Sequence, residues 1–172
     1  MKLGAPYYSQ RLDILDPECK WRSCGICALA MAMDSLRRPT SKLGNLDDLI
    51  KEGLASGAYL NGVGWIHQGL VELAKKHGFE NSFRKEWAED KKNEAVKYLA
   101  EFLKKEIPVL ASMKNTGGGH LVLIVGLEEG GDVPEGFYIH DPNAYTRKDG
   151  EFKFLNLSEF LKIWKGKVVV IG

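Results

Sequence analysis

Trp21-Arg-Ser-Cys-Gly-Ile-Cys-Ala-Leu-Ala-Met-Ala-Met-Asp34 places a cysteine and a glycine at the point where a helix should begin, then continues as a run too apolar to face water. Ser23 or Cys24 can start that helix, which the spacing carries to about Arg38, and Pro39 stops it. Ile26, Leu29, Ala30, Met33 and Leu36 keep the helical period, while Ala28, Met31 and Ala32 fill the other sides. A helix apolar nearly all round belongs inside a protein. The fold therefore has to be built around residues 24–36.

Outward from it, the N-terminal segment to about residue 20 has no sustained period and reads as an extended arm or short strand. Three further helices follow. The first spans 47–56 with Asn45 as a possible cap. The next spans about 65–77 and stops at Gly78. The third is capped by Asp90 and runs to about residue 105. The character then changes. Val109–Met113, Leu121–Val125, Phe137–Asp141, Glu151–Phe154 and Val168–Ile171 read as strands, with a short helix near Ser158–Trp164 and a loop at Gly117–Gly119. Helices first and strands later predict an α+β fold, a buried N-terminal helix on an antiparallel sheet, rather than alternating βαβ units. No repeat or linker divides the chain, so residues 1–172 are expected to form one domain.

The 172 residues are 44% hydrophobic and 27% charged, with 24 basic and 23 acidic side chains giving a formal charge of +1. That balance supplies no electrostatic case for nucleic acid or an anionic membrane. No stretch reaches the roughly 18 apolar residues of a membrane span, and the N-terminus lacks a signal-peptide core. The chain as it stands reads as cytoplasmic, or as secreted if a leader has been removed.

Three cysteines are an odd number, against a closed disulfide framework. Cys19, Cys24 and Cys27 follow C-x4-C-x2-C, the opening of an iron–sulfur pattern that lacks its fourth cysteine. Cys27, on the apolar run, reads as core; Cys19, in Pro-Glu-Cys-Lys, reads as a partly exposed thiol, with a Cys19–Cys24 disulfide as a regulatory alternative. Cys24 differs. Free N–H groups and aligned peptide dipoles at a helix start favour a thiolate, the nucleophilic form. Gly25 lets a substrate carbonyl approach, and the Cys24 N–H can help hold an oxyanion.

A cysteine nucleophile needs a base, and the base an orienting partner. His67 and His77 fall on the third expected helix, with ordinary polar-face roles. A hairpin turning between Gly130 and Gly131 would set His120 opposite Asp141, Val122 opposite Ile139 and Ile124 opposite Phe137, with the apolar pairs facing the cysteine helix. A carboxylate there would fix the imidazole tautomer, and Pro142 would end the strand at the right place. A slip of one residue would oppose His140 to His120 instead. Asp141 before Pro-Asn also has a plain reading as a turn residue. Trp21, Trp65 and Tyr8 are candidates to line a cleft.

Tyr7-Tyr8-Ser9-Gln10, Ser23-Cys-Gly-Ile-Cys-Ala-Leu-Ala-Met31, Pro108-Val-Leu-Ala, Gly119-His-Leu-Val-Leu-Ile-Val-Gly126 and Tyr138-Ile-His-Asp-Pro-Asn143 together resemble the bacterial papain-like peptidases of cysteine peptidase family 39, in particular its stand-alone branch. The resemblance spans essentially the whole chain. It implies a papain-like fold, Cys24 as nucleophile, His120 as base, Asp141 as orienter and Gln10 as a side-chain donor to the oxyanion hole. It implies a peptide or protein substrate and no cofactor or metal. The transporter-borne members cut leader peptides after Gly-Gly. This chain carries neither a membrane span nor a nucleotide-binding motif, so that substrate does not transfer, and Ile26 stands where relatives often have proline. The expectation is a thiol-dependent amide hydrolase. Its alternatives are a catalytically silent peptide-binding module on the same scaffold, an acyl transferase of the same chemistry, and a metal or redox protein built on the three cysteines. Oligomeric state is not encoded in any pattern here.

Overall fold

The computed structural model describes residues 1–37, 44–115 and 118–172. The first half supplies α1 (Cys24–Leu36), α2 (Leu46–Ala55), the short strands β1 (Tyr59–Leu60) and β2 (Gly64–Trp65), α3 (His67–Lys76), β3 (Phe83–Glu86) and α4 (Lys92–Lys104). The second half supplies β4 (Val109–Asn115), β5 (Gly118–Glu128), β6 (Gly136–His140), α5 (Arg147–Gly150), β7 (Lys153–Asn156), α6 (Leu157–Ile163) and β8 (Trp164–Val170). Six strands form one antiparallel sheet in the order β3-β8-β4-β5-β6-β7, while β1 and β2 pair separately. The fold is α+β, with the cysteine-bearing helix packed on that sheet.

Gly25 through Met33 are all buried, as the apolar run requires. They pack with α2, α3 and one face of the sheet, made by Leu110, Leu121, Leu123, Val125 and Val169. The opposite face, with Val122, Ile124, Phe137, Ile139 and Val168, is covered by α4 and α6 through Leu99, Leu103 and Phe160, with Trp164 of β8 in the same cluster. The sheet is thus a middle layer, and β5 is buried on both sides.

That double burial corrects the expected register. Leu123 pairs with His140 and Ile124 with Ile139; an irregularity between Ile124 and Gly126 then sets Gly126 against Tyr138 and Leu127 against Phe137. None of the three expected pairs forms, and the Val122–Ile124 face turns away from the cysteine helix. Alternation could not choose the face, since both are apolar, and the inserted residue of the bulge cannot be seen in a pattern of apolar residues.

Other boundaries also move. Asn45 caps α2, its side chain accepting from the Asp47 N–H. Asp90 does not cap α4: it lies in a 3-10 turn, Glu89–Lys91, and Lys91 is the capping position. Gly118 and Gly119 belong to β5 rather than to a loop, and Asp141 lies just past β6. Gly117, like the Arg38–Pro39 helix stop, falls outside the described residues. The N-terminal arm forms no strand. It runs beside β5 beyond the end of β4, with Leu3 N–H donating to Val125 and Leu127 N–H to Met1. The Asp47 carboxylate then holds its far end by accepting from the Leu15 and Asp16 N–H groups at 3.1 and 2.9 Å. Among the described residues no helix is long and apolar enough to cross a membrane.

Candidate active site

Cys24 is the first residue of α1. The Ser23 hydroxyl donates to the Cys19 carbonyl at 2.6 Å and does not cap the helix, and the first turn holds no acidic residue. First-turn N–H groups have no partner within a helix, so the positive end of the helix beside the sulfur carries no internal counter-charge. Trp65 fixes the approach to this turn. Its indole N–H donates to the Arg22 carbonyl at 2.5 Å, and its ring fills the space a Cβ would need at Gly25 and at Gly53, 2.8 and 2.7 Å away. Glycine at 25 therefore serves helix–ring packing as well as access to the sulfur.

His120 and Asp141 meet although they are not directly opposed. Continuing the observed register sets Asp141 against Val122, so His120 is its diagonal neighbour, a separation an imidazole can span. Nε2 lies 2.8 Å from Asp141 Oδ1. Cys24 lines the same cleft as His120 and contributes to the shift of its pKa; with Nε2 engaged by Asp141, Nδ1 is the nitrogen left to face the sulfur. Burial alone would lower the His120 pKa. The Asp141 hydrogen bond, the Cys24 sulfur and the charges of both outweigh it and raise the value to about 9. For Asp141 burial pushes upward, but the His120 contact, the Asn143 N–H and Lys153 bring the carboxyl below its ordinary value.

Asp141 is held at every backbone atom that can bond. Its N–H donates to Gly150 at 2.8 Å, its carbonyl accepts from the Tyr7 hydroxyl at 2.8 Å, and Oδ1 also accepts from the Asn143 N–H at 3.0 Å. Tyr7 is raised to about 12, chiefly by burial and then by the Asp141 charge, and stays a neutral donor. Gln10 is 3% exposed. Its N–H donates to the Pro142 carbonyl at 2.9 Å, which ties the arm to the Asp141 turn, and its side-chain oxygen is buried with no hydrogen-bond partner.

Of the residues selected from the sequence, His120 is thus paired with Asp141 and shares one cleft with Cys24; Gln10 stands beside the Asp141 segment and does not line that cleft. That cleft holds about 600 Å³. Trp21 and Trp65 line it, but Tyr8 does not; its hydroxyl is turned to Asp34 at 2.7 Å. The cleft is also lined by His67 and by four cationic residues that no sequence motif singled out, Arg22, Arg84, Lys165 and Lys167. His67 belongs to it rather than to an ordinary polar face, whereas His77 pairs with Glu52 at 2.8 Å. The available signal was the Lys-Gly-Lys-Val-Val alternation, which puts both lysines on the face of Val169.

The other two cysteines are buried, Cys19 at 4% and Cys27 at 0% exposure, so the expected partial exposure of Cys19 is wrong: its sulfur is covered between Asp16 and Arg22. All three cysteines are free. Among the described residues no group of three His, Cys, Asp or Glu side chains is arranged to hold a metal ion.

The family model for the Peptidase_C39 like family matches residues 2–168. Among solved structures, the peptidase domain of Streptococcus ComA, a bi-functional ABC transporter involved in a quorum-sensing pathway, superposes with a TM-score of 0.60 at 17% identity, covering 88% of this chain and 92% of that one. The peptidase domain of Streptococcus mutans ComA gives 0.50 at 17% identity, covering 95% and 98%. At that identity the likeness is one of fold. A search of curated proteins finds no match to the sequence.

Proposed function

The chain belongs to the Peptidase_C39 like family, and from that premise we propose that it is a papain-like cysteine peptidase, or a closely related amide hydrolase, acting through Cys24, His120 and Asp141. The observation that carries the reading is the placement of one imidazole. Asp141 takes Nε2 at 2.8 Å, and the same ring lines one cleft with Cys24 at the start of α1, which supports a proton exchange between the other nitrogen and the sulfur. The same chemistry would serve an acyl transferase if an amine replaced water in the second half-reaction.

In the proposed cycle His120 holds the proton taken from Cys24, and the pair rests as imidazolium and thiolate. The sulfur adds to a peptide carbonyl carbon, and the carbonyl electron pair moves onto oxygen. The Cys24 N–H, at the helix start, is one donor to that oxygen; the Gln10 side-chain amide is the second. Gln10 is buried outside the cleft lining, so its amide reaches that oxygen only once the side chain turns toward Cys24. The C–N bond breaks as His120 gives its proton to the leaving amine. His120 then takes a proton from water as the water oxygen attacks the thioester; the C–S bond breaks, the acid leaves, and the imidazolium–thiolate pair is restored. Asp141 keeps the ring in one tautomer and favours its charged form.

The test is digestion of a proteome-derived peptide mixture with cleavage sites read by mass spectrometry. The native protein should generate new peptide ends that Cys24→Ala does not. Ends that persist in Cys24→Ala, or none at all, would remove the peptidase reading.

A further inference from the structure

The charged side chains lining the cleft are all cationic, and no aspartate or glutamate is among the described residues there. Arg22 lies on the Cys24 side, its guanidinium turned to the Tyr59 ring and the Cys19 sulfur, while Arg84, Lys165 and Lys167, with His67, form a wall of their own. The fold sets them there. Arg84 pairs with Val169 across the β3–β8 ladder, and Glu86 pairs with Lys167. Val169 is buried beneath the helices of the α1 face. By alternation Arg84 and Lys167 stand on that same face, where the core gives way to the cleft, and Lys165, beyond an irregularity of β8 at Gly166, lines the cleft with them. Lys165 Nζ lies 3.9 Å from the position a Cβ would take on Gly119, the residue next to His120. The cationic wall therefore begins one residue from the reacting imidazole.

Little of this charge is neutralised. Arg84 gives its Nε–H to a neutral acceptor, Gln68 Oε1, at 3.3 Å. Lys167 has Glu86 at 3.1 Å, but both are largely in solvent, at 41% and 53% exposure. An exposed pair of that kind holds its partners weakly and rearranges at small cost. Burial lowers the His67 pKa, and the charges of Lys167, Arg84 and Lys165 lower it further despite Glu86. The wall is a local excess, because the chain as a whole carries only +1.

We propose that this wall selects peptides bearing an acidic side chain close to the bond to be cut, with Lys165, Lys167 and Arg84 receiving its carboxylate. The proposal rests on the peptidase reading of the site and names its substrate class. Arg84 offers a planar fork for a carboxylate, while the two lysines act as point charges along the same track.

The test uses Cys24→Ala protein, which cannot turn over, and fluorescent octapeptide pools acetylated at one end and amidated at the other. Each pool fixes Glu, Gln or Lys at one position, and binding is read by anisotropy at low ionic strength. The Glu pool at the matching position should bind about tenfold more tightly than the Lys pool, a difference of about 1.4 kcal/mol. The gap should close in Arg84→Gln/Lys165→Gln/Lys167→Gln and persist in Lys85→Gln, whose amine lies over Trp87 and Tyr98 instead. Lys165→Glu alone, a change at a partly exposed strand position, should invert the preference if the triple variant does not fold. Pools that bind equally, or a gap that survives both sets of substitutions, overturn the proposal. Digestion of the same pools by the native protein separates it from the underlying reading. Glu-selective binding without cleavage strikes only the peptidase assignment. Cys24-dependent cleavage indifferent to Glu strikes only this one.

Discussion

Tyr7 grips Asp141 by its backbone: the phenol donates to the Asp141 carbonyl at 2.8 Å, across 134 residues of sequence. Gly150 is what makes the grip possible. A Cβ there would overlap the Tyr7 hydroxyl and crowd the Asp141 carbonyl. Tyr7→Phe should lower stability by about 1 kcal/mol, the worth of one hydrogen bond, because the Asp141 carbonyl keeps only its longer bond from the Ala144 N–H. Gly150→Ala should cost more, because ring and turn must both shift. Urea unfolding measures both. If Gly150→Ala is as stable as the native chain, the packing described around Asp141 is wrong.

The imidazole carries a pH signature. His120 is raised to about 9 in the folded protein, against an unfolded value near 6.5. A base raised by folding adds stability in full below the unfolded value, and that stability is lost as pH climbs through about 9. The native chain should therefore exceed His120→Ala by about 3 kcal/mol more at pH 6 than at pH 10, a size set by the shift. Because Cys24 contributes to the shift, Cys24→Ala should bring the His120 titration down, which NMR of the ring protons reads directly. An unmoved titration would separate the two side chains.

Reactivity should follow exposure. Cys24 is partly accessible, whereas Cys19 and Cys27 are buried and burial raises both their thiols. Iodoacetamide at pH 7 should label Cys24 first. His120→Ala should slow that labelling on the order of tenfold, since an unassisted thiol is only a few per cent thiolate at that pH. Mass spectrometry of the labelled peptides decides it; equal, slow labelling of all three would contradict the pairing.

These three residues were legible in the sequence because each stands in a local pattern: a cysteine opening an apolar helix, a histidine entering a strand, an aspartate before proline. Their convergence was legible only in outline. The expected register was off by two residues at His140 and by three beyond the bulge. The even offset kept His120 and Asp141 on one face, so the right pair was named from the wrong ladder. The face chosen for α1 was wrong for a different reason: Leu121–Val125 is apolar at every position. Of the cationic wall, the Lys165–Lys167 alternation was legible, but not that these lysines share a wall with Arg84. Arg84 lies on an edge strand that reads as polar loop, and Lys165 and Lys167 acquire their meaning only from the pairing of β8 with β3.

Trp65 ties the cleft to the fold. Its ring lies between Gly25 and Gly53, and its N–H holds the Arg22 carbonyl two residues before Cys24. Gly25→Ala puts a methyl group against the indole and should cost about 1–3 kcal/mol, the usual range for overpacking. Trp65→Phe keeps part of the ring while removing the hydrogen bond, so it should cost less stability yet loosen the loop before the sulfur. Thermal melts give the first effect, and the Cys24 alkylation rate gives the second.

His140 offers the last prediction, because it is fully buried and neither ring nitrogen has a partner. It lies between Tyr7 and Phe152, with ring centroids 5.5 and 4.6 Å away. Burial lowers its pKa to about 4. The unfolded chain takes up a proton near pH 6.5, the folded one only near 4, so stability is whole above 6.5 and drains away as pH falls between those values. The loss should reach about 3 kcal/mol, the free-energy equivalent of that depression. His140→Phe keeps a planar ring among aromatic neighbours and removes the titrating group. Its unfolding free energy should stay nearly level from pH 6.5 to 4.5 while that of the native chain falls. Since His140 precedes Asp141 directly, the same variant tests whether an apolar ring there still delivers the carboxylate to His120: the His120 titration should stay near 9. Parallel acid profiles for the two proteins would mean that His140 is not the group that limits stability in acid.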